Sequence, residues 1–115
     1  MRRISKNYCS VLPLVLKGKW YDMIASGEKK EEYREYKEFW IKRIGKWQDT
    51  RYDHPVGEPM KMDVIAFSRG YKKADMYFVC DKILIRKGKP VHPDWGEPNI
   101  RHFVIGLGER IDLRD

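Results

Sequence analysis

Within eight residues this chain stops a helix, starts a strand and clusters charge. The stretch is Gly27-Glu28-Lys29-Lys30-Glu31-Glu32-Tyr33-Arg34, which reads G-x-K-x-x-E-x-R. It follows an amphipathic segment whose apolar residues are Trp20, Tyr21, Met23 and Ile24. Gly27 stands where a helix would end, because glycine adopts the left-handed C′ conformation at little cost. Alternation then places Lys29, Glu31 and Tyr33 on one face of a strand and Lys30, Glu32 and Arg34 on the other. A bend at the strand entry would bring Lys29 to Glu32 and Arg34, so that a cation, a carboxylate and a guanidinium converge.

The rest of the chain is read around this junction. Val11 to Leu16 is a short apolar run consistent with a buried strand, with Pro13 placing part of it at an edge or a strand start. Gly18 to Ser26 reads as helix, with Trp20 and Ile24 spaced i, i+4. Lys29 to Glu35 reads as strand. Tyr36 to Trp47 reads as a second helix, in which Tyr36, Phe39, Trp40, Ile44 and Trp47 form an aromatic and aliphatic stripe expected to face the core. Gln48 to Pro59, rich in Asp, Pro and Gly, is a loop. Met62 to Phe67 is a strand, Ser68 to Lys73 a turn around Gly70, and Asp75 to Ile85 a long strand whose imperfect alternation predicts a bulge or bend. Lys87 to Asn99 is a second loop. Arg101 to Leu107 is the last strand, with Phe103, Ile105 and Leu107 on one face. This order predicts an α+β fold, a small barrel with helices packed at one side.

The chain has 115 residues, 42% hydrophobic and 36% charged, which is one globular domain spanning 1–115. No apolar run approaches the roughly 20 residues that span a bilayer. The basic start lacks the apolar core of a signal peptide, so a cytoplasmic location and no membrane partner are expected. Cys9 and Cys80 form no CxxC pair and read as reduced bystanders, Cys80 inside an apolar run. His54, His92 and His102 show no metal-ligand spacing, so no metal is expected. No glycine-rich phosphate loop or nucleophile elbow is present.

Lys plus Arg number 24 against 17 Asp plus Glu, a net charge of +7. Residues 1 to 21 hold Arg2, Arg3, Lys6, Lys17 and Lys19 and no acid. Such a segment reads as a basic arm that attracts polyanions by counterion release, or as a surface that serves solubility alone.

The motif and its surroundings resemble the ASCH family, whose members have a PUA-like β-barrel. Leu14-Val15-Leu16-Lys17 resembles that family's first strand, Trp20-Tyr21-Asp22-Met23-Ile24 its first helix, and Phe67-Ser68-Arg69-Gly70-Tyr71 a mid-chain strand and turn. Trp95-Gly96-Glu97-Pro98 and Phe103-Val104-Ile105-Gly106-Leu107-Gly108 resemble its closing section. The resemblance covers nearly the whole chain. It implies a small PUA-like mixed β-barrel with two flanking helices, monomeric by default. It also implies a cofactor-free amidohydrolase of N4-acylated cytosine nucleosides, with N4-acetylcytidine as the type substrate. The alternatives are a module that binds a modified nucleoside or RNA without chemistry, or a ribonuclease. In the amidohydrolases a motif lysine works with a threonine and a glutamate, and Glu32 stands at the position matching that threonine.

The candidate catalytic residues are therefore Lys29, Glu32 and Glu97, the last in a loop expected to close over the barrel mouth. A lysine serves as nucleophile or base when burial or a cationic neighbour favours its neutral form. The bland reading of Lys29 is a solvated charge run. Arg34 either holds a carbonyl or phosphate oxygen with its planar fork or pairs with Glu32. Lys17 and Tyr21 join the substrate-binding set, as do Ser68 and Tyr71, whose hydroxyls lie near a turn. Tyr71 is also a candidate core-edge residue. Trp95 is positioned either to stack on a base or to anchor its loop. Lys17, Lys29, Glu32 and Arg34 are expected to line one concave site. Lys29, as a lone cleft charge, is expected to contribute little to stability.

Overall fold

A computed structural model describes residues 1–44, 62–87 and 101–114. Within them the chain forms strands β1 (Arg2–Ser5), β2 (Cys9–Leu16), β3 (Glu31–Glu35), β4 (Met62–Arg69), β5 (Met76–Lys87) and β6 (Arg101–Arg114). Helix α1 is Gly18–Ala25, and residues 38–44 form a second helical segment, α2. A single 3-10 turn, Lys6–Tyr8, joins β1 to β2. Among the described residues the architecture is α+β, a mixed six-stranded sheet with two helices. Among the described residues no helix is long and apolar enough to cross a membrane.

The sheet runs β1-β6-β5-β4-β2, and β3 also pairs with β6. β6 is the organising strand. Its first half accepts β3 antiparallel, Glu31 opposite Gly106 through Glu35 opposite His102. Its second half accepts β1 parallel, Arg2 opposite Ile111 through Ser5 opposite Arg114. β5 lines its other edge. β2 pairs in parallel with β4 alone, and no backbone pairing joins β2 to β3 among the described residues. The sheet is therefore open at that seam rather than a closed barrel.

Alternation selects the core. Leu12, Leu14 and Leu16 of β2 are buried with Ile65 and Phe67 of β4, and with Phe103 and Ile105 of β6. Ile24 of α1 and Ile44 of α2 cap this face. Tyr36 and Trp40 pack on it from the side, whereas Phe39, expected to face inward, is 51% exposed beneath the Arg43 guanidinium. The irregularity expected in β5 is present, as register shifts between Phe78 and Cys80 and between Cys80 and Lys82.

Two elements escape a local reading. The acid-free N-terminus is not an arm. It is strand β1, with Arg2 3.2 Å from Glu109 and Arg3 3.8 Å from Asp112. β6 continues past Leu107 to Arg114, because β1 and β5 supply partners there although Gly108, Glu109 and Arg110 break the apolar pattern.

Candidate functional site

The site is assembled by the end of α1. Gly27 lies at φ +84°. Its N–H donates to the Ile24 carbonyl at 3.1 Å, and the Lys29 N–H donates to the Met23 carbonyl at 3.0 Å. Together these bonds satisfy carbonyls that a helix end leaves open. They also pin the Lys29 backbone against α1 and turn its side chain inward. Two residues later the chain joins β6, where Glu32 opposes Ile105 and Arg34 opposes Phe103. Directly opposed residues share a face, so Glu32 and Arg34 point to the side on which Ile105 and Phe103 form the core.

Lys29 and Glu32 are 4% and 3% exposed. Lys29 Nζ donates to Glu32 Oε1 at 2.8 Å and to the Glu31 carbonyl. The Trp20 and Tyr33 ring centroids lie 5.6 and 4.8 Å from the ammonium, within cation–π range. Glu32 Oε1 also accepts the Tyr33 N–H at 2.9 Å, and Oε2 accepts Arg34 Nη2 at 3.3 Å. Three donors from three residues thus converge on one carboxylate. Arg34 Nη2 donates as well to the Val15 carbonyl of β2 at 3.1 Å, so this guanidinium spans the open seam between β3 and β2. The Trp40 ring lies 5.0 Å from Arg34 Cζ. Burial lowers the Arg34 pKa from its ordinary value, and the charge of Glu32 opposes that shift. Arg34 Nε is buried and has no acceptor among the described residues.

A cleft of about 220 Å³ opens at this seam, lined by Val15, Leu16, Lys17, Trp20, Glu32, Tyr33 and Arg34. Of the four residues expected in one concave site, Lys17, Glu32 and Arg34 line it. Lys29 stands outside the lining and reaches the cleft through its bond to Glu32. Its burial in a paired cluster overturns the expectation of an isolated cleft charge with little bearing on stability, since removing one partner of a buried pair strands the other. Tyr21 is turned elsewhere. Its hydroxyl donates to Asp75 Oδ1 at 2.7 Å, and that bond leads the causes that raise the phenol's pKa, ahead of burial. Ser68 is buried on β4 outside the lining, and Tyr71 is fully exposed in the turn after it, not at a core edge. Trp95 and Glu97 lie outside the described residues.

The sequence reading missed Trp20 as a site residue. Lys17 and Trp20 stand three apart at the start of α1, and this spacing puts both on the helix face that turns toward the seam. Val15 contributes through its carbonyl, for which no side-chain pattern exists. Among the described residues no group of three or more His, Cys, Asp or Glu is placed to hold a metal.

Set against known protein families, curated proteins and solved structures, the chain matches none.

Proposed function

We propose that this protein is an amidohydrolase that deacylates N4-acylated cytosine nucleosides, N4-acetylcytidine being the first substrate to try, with the nucleobase held in the seam cleft. The observation that carries the reading is Glu32, a buried carboxylate on the cleft wall gripped by Lys29, Arg34 and a backbone N–H. The resemblance of Gly27 to Arg34 to the ASCH motif supports it, and with it a PUA-like arrangement of the strands around the seam.

Amide hydrolysis needs a group that takes a proton from the attacking water and returns one to the departing nitrogen. Glu32 fills that role. Water oxygen adds to the acyl carbon, the carbon–nitrogen bond breaks, the proton held by Glu32 passes to the exocyclic amine, and the acyl group leaves as the acid. Lys17 and the Arg34 Nε–H, which has no acceptor among the described residues, supply positive charge and a donor for the carbonyl oxygen as it becomes an oxyanion. Trp20 offers a face for the base ring. Lys29 acts by holding Glu32, since attack by its nitrogen would first require leaving both acceptors.

One observation favours a second reading. Both acceptors of the Lys29 ammonium are internal, as in a structural ion pair, so the cleft would hold a nucleoside or RNA without chemistry. Incubating the protein with N4-acetylcytidine and following cytidine release separates the two. On the enzyme reading the wild type releases cytidine, Glu32→Gln at equal folded fraction loses at least a hundredfold in rate, and Arg34→Lys raises KM more than it lowers kcat. No release across a panel of acyl cytidines leaves the binding module.

A further inference from the structure

A second hollow has Lys29 in its wall, and the inference drawn from it does not rest on the proposed chemistry. It measures about 320 Å³ and is lined by Ile24, Gly27, Lys29, Lys30, Phe78, Leu107 and Gly108, a volume at the small end of ligand pockets. Ile24 is buried, Phe78 and Leu107 are half-buried, and no carboxylate is on its wall. Lys30 and Leu107 are shared with an adjoining shallow depression of about 440 Å³, whose other lining residues are Glu31, Asp81, Lys82, Arg86 and Gly106. The two form one continuous surface, apolar at one end and charged at the other.

The sheet explains both ends. The β5 register shifts fall between Phe78 and Lys82, where the strand leaves regular pairing with β6, and bulges of this kind re-aim side chains. Gly106 lies between Glu31 on β3 and Lys82 on β5. Having no side chain, it lets Lys82 lie across β6, where a Cβ at 106 would meet Lys82 Cγ at 2.8 Å. Gly27 likewise leaves its side open, with nothing within 4 Å of an added Cβ. Lys30, on the wall of the apolar hollow, thus continues into a depression that holds two further cations, Lys82 and Arg86. The two acids beside them are Asp81 and Glu31, the latter accepting the Tyr33 hydroxyl at 3.4 Å.

We propose that this surface is a binding site for a small amphipathic anion. The apolar body enters between Ile24, Phe78 and Leu107, and the anionic head rests among Lys30, Lys82 and Arg86. A neutral or cationic head loses the attraction of the cations and keeps only the apolar contact.

Titration of the isotope-labelled protein with octanoate, octanol and octylamine at low salt, followed by amide chemical shifts, tests this. The expected result is saturable shifts at Ile24, Gly27, Leu107 and Gly108, with octanoate tighter than octanol by about three- to tenfold and octylamine weakest. From butanoate to octanoate each added methylene should tighten binding by roughly fourfold until the hollow is full. Lys30→Glu, an exposed position that leaves the core intact, should erase the octanoate advantage. Leu107→Trp should block all three probes. Equal binding of the three heads would overturn the anion assignment. Absence of shifts at these four amides with millimolar octanoate on folded wild-type protein would overturn the site. Cytidine binding at the seam cleft, read in the same spectra, belongs to the other site and is unaffected by either outcome.

Discussion

Strand β6 carries a charge cluster toward each end, built from the same chemistry in opposite surroundings. At its first half β3 brings Glu32 to Lys29 and Arg34, with Lys29 and Glu32 side chains 2% and 4% exposed. At its second half β1 brings Arg2 to Glu109 and Arg3 to Asp112, and the Arg2 and Glu109 side chains are about half exposed. Water screens the second cluster and competes for its donors, so each pair contributes about 0–1 kcal/mol. In the first cluster water is displaced, and each charge depends on its partners to replace lost hydration. Motif chemistry therefore sits where a single substitution disturbs stability and site geometry together.

The contrast is broken most directly at Glu32. Glu32→Ala leaves the Lys29 ammonium buried without its carboxylate and should cost about 3–5 kcal/mol in urea unfolding. Adding Lys29→Met should recover more than half of that loss, because the stranded charge is gone. A cost for Glu32→Ala no larger than that of a surface pair would show that the two clusters are equivalent.

Arg34 tests the seam. A single nitrogen, Nη2, joins Glu32 to the Val15 carbonyl, and a lysine, one bond shorter, does not carry its ammonium as far. Arg34→Lys should cost about 1.5–3 kcal/mol by the same measurement, the range of a hydrogen bond to a charged group. A loss near zero would mean that the seam stays together without this link.

The exposed cluster should respond to salt instead. Arg2→Ala should lose no more than about 0.5–1 kcal/mol at low ionic strength, and the difference should vanish in about 1 M salt, where the Debye length falls to about 3 Å. A salt-independent loss would place Arg2 with the buried group.

The smallest effect concerns the bond between Tyr21 and Asp75, which lies outside both clusters. The pKa of this phenol is raised above its ordinary value of 10.0, first by the hydrogen bond to Asp75 and then by burial. The protonated form is the one favoured by folding. Stability from this bond is complete below the unfolded value and is lost as pH rises through the folded value. Tyr21→Phe should therefore shrink the stability difference from wild type as the pH climbs past 10.0. In a difference titration of tyrosinate absorbance, the missing step should lie above that value.

The sequence by itself determined the junction at the centre of this protein. Glycine at 27 ends a helix because of its own backbone freedom, and the observed φ of +84° is what that reading requires. The i, i+4 pair Trp20 and Ile24 marks α1, and alternation puts Glu32 and Arg34 on one face; both are consequences of local periodicity. Tertiary structure decided the rest. Strand β1 was invisible because Arg2 and Arg3 carry no apolar pattern, and only the edge of β6 makes them a strand. Tyr21 and Ser68 carry hydroxyls suited to a site, yet a partner at Asp75 and a place in β4 turn them to other uses. The seam cleft arises because β2 pairs with β4 and not with β3. That choice rests on register between segments more than forty residues apart in the chain, which side-chain spacing within either segment does not encode.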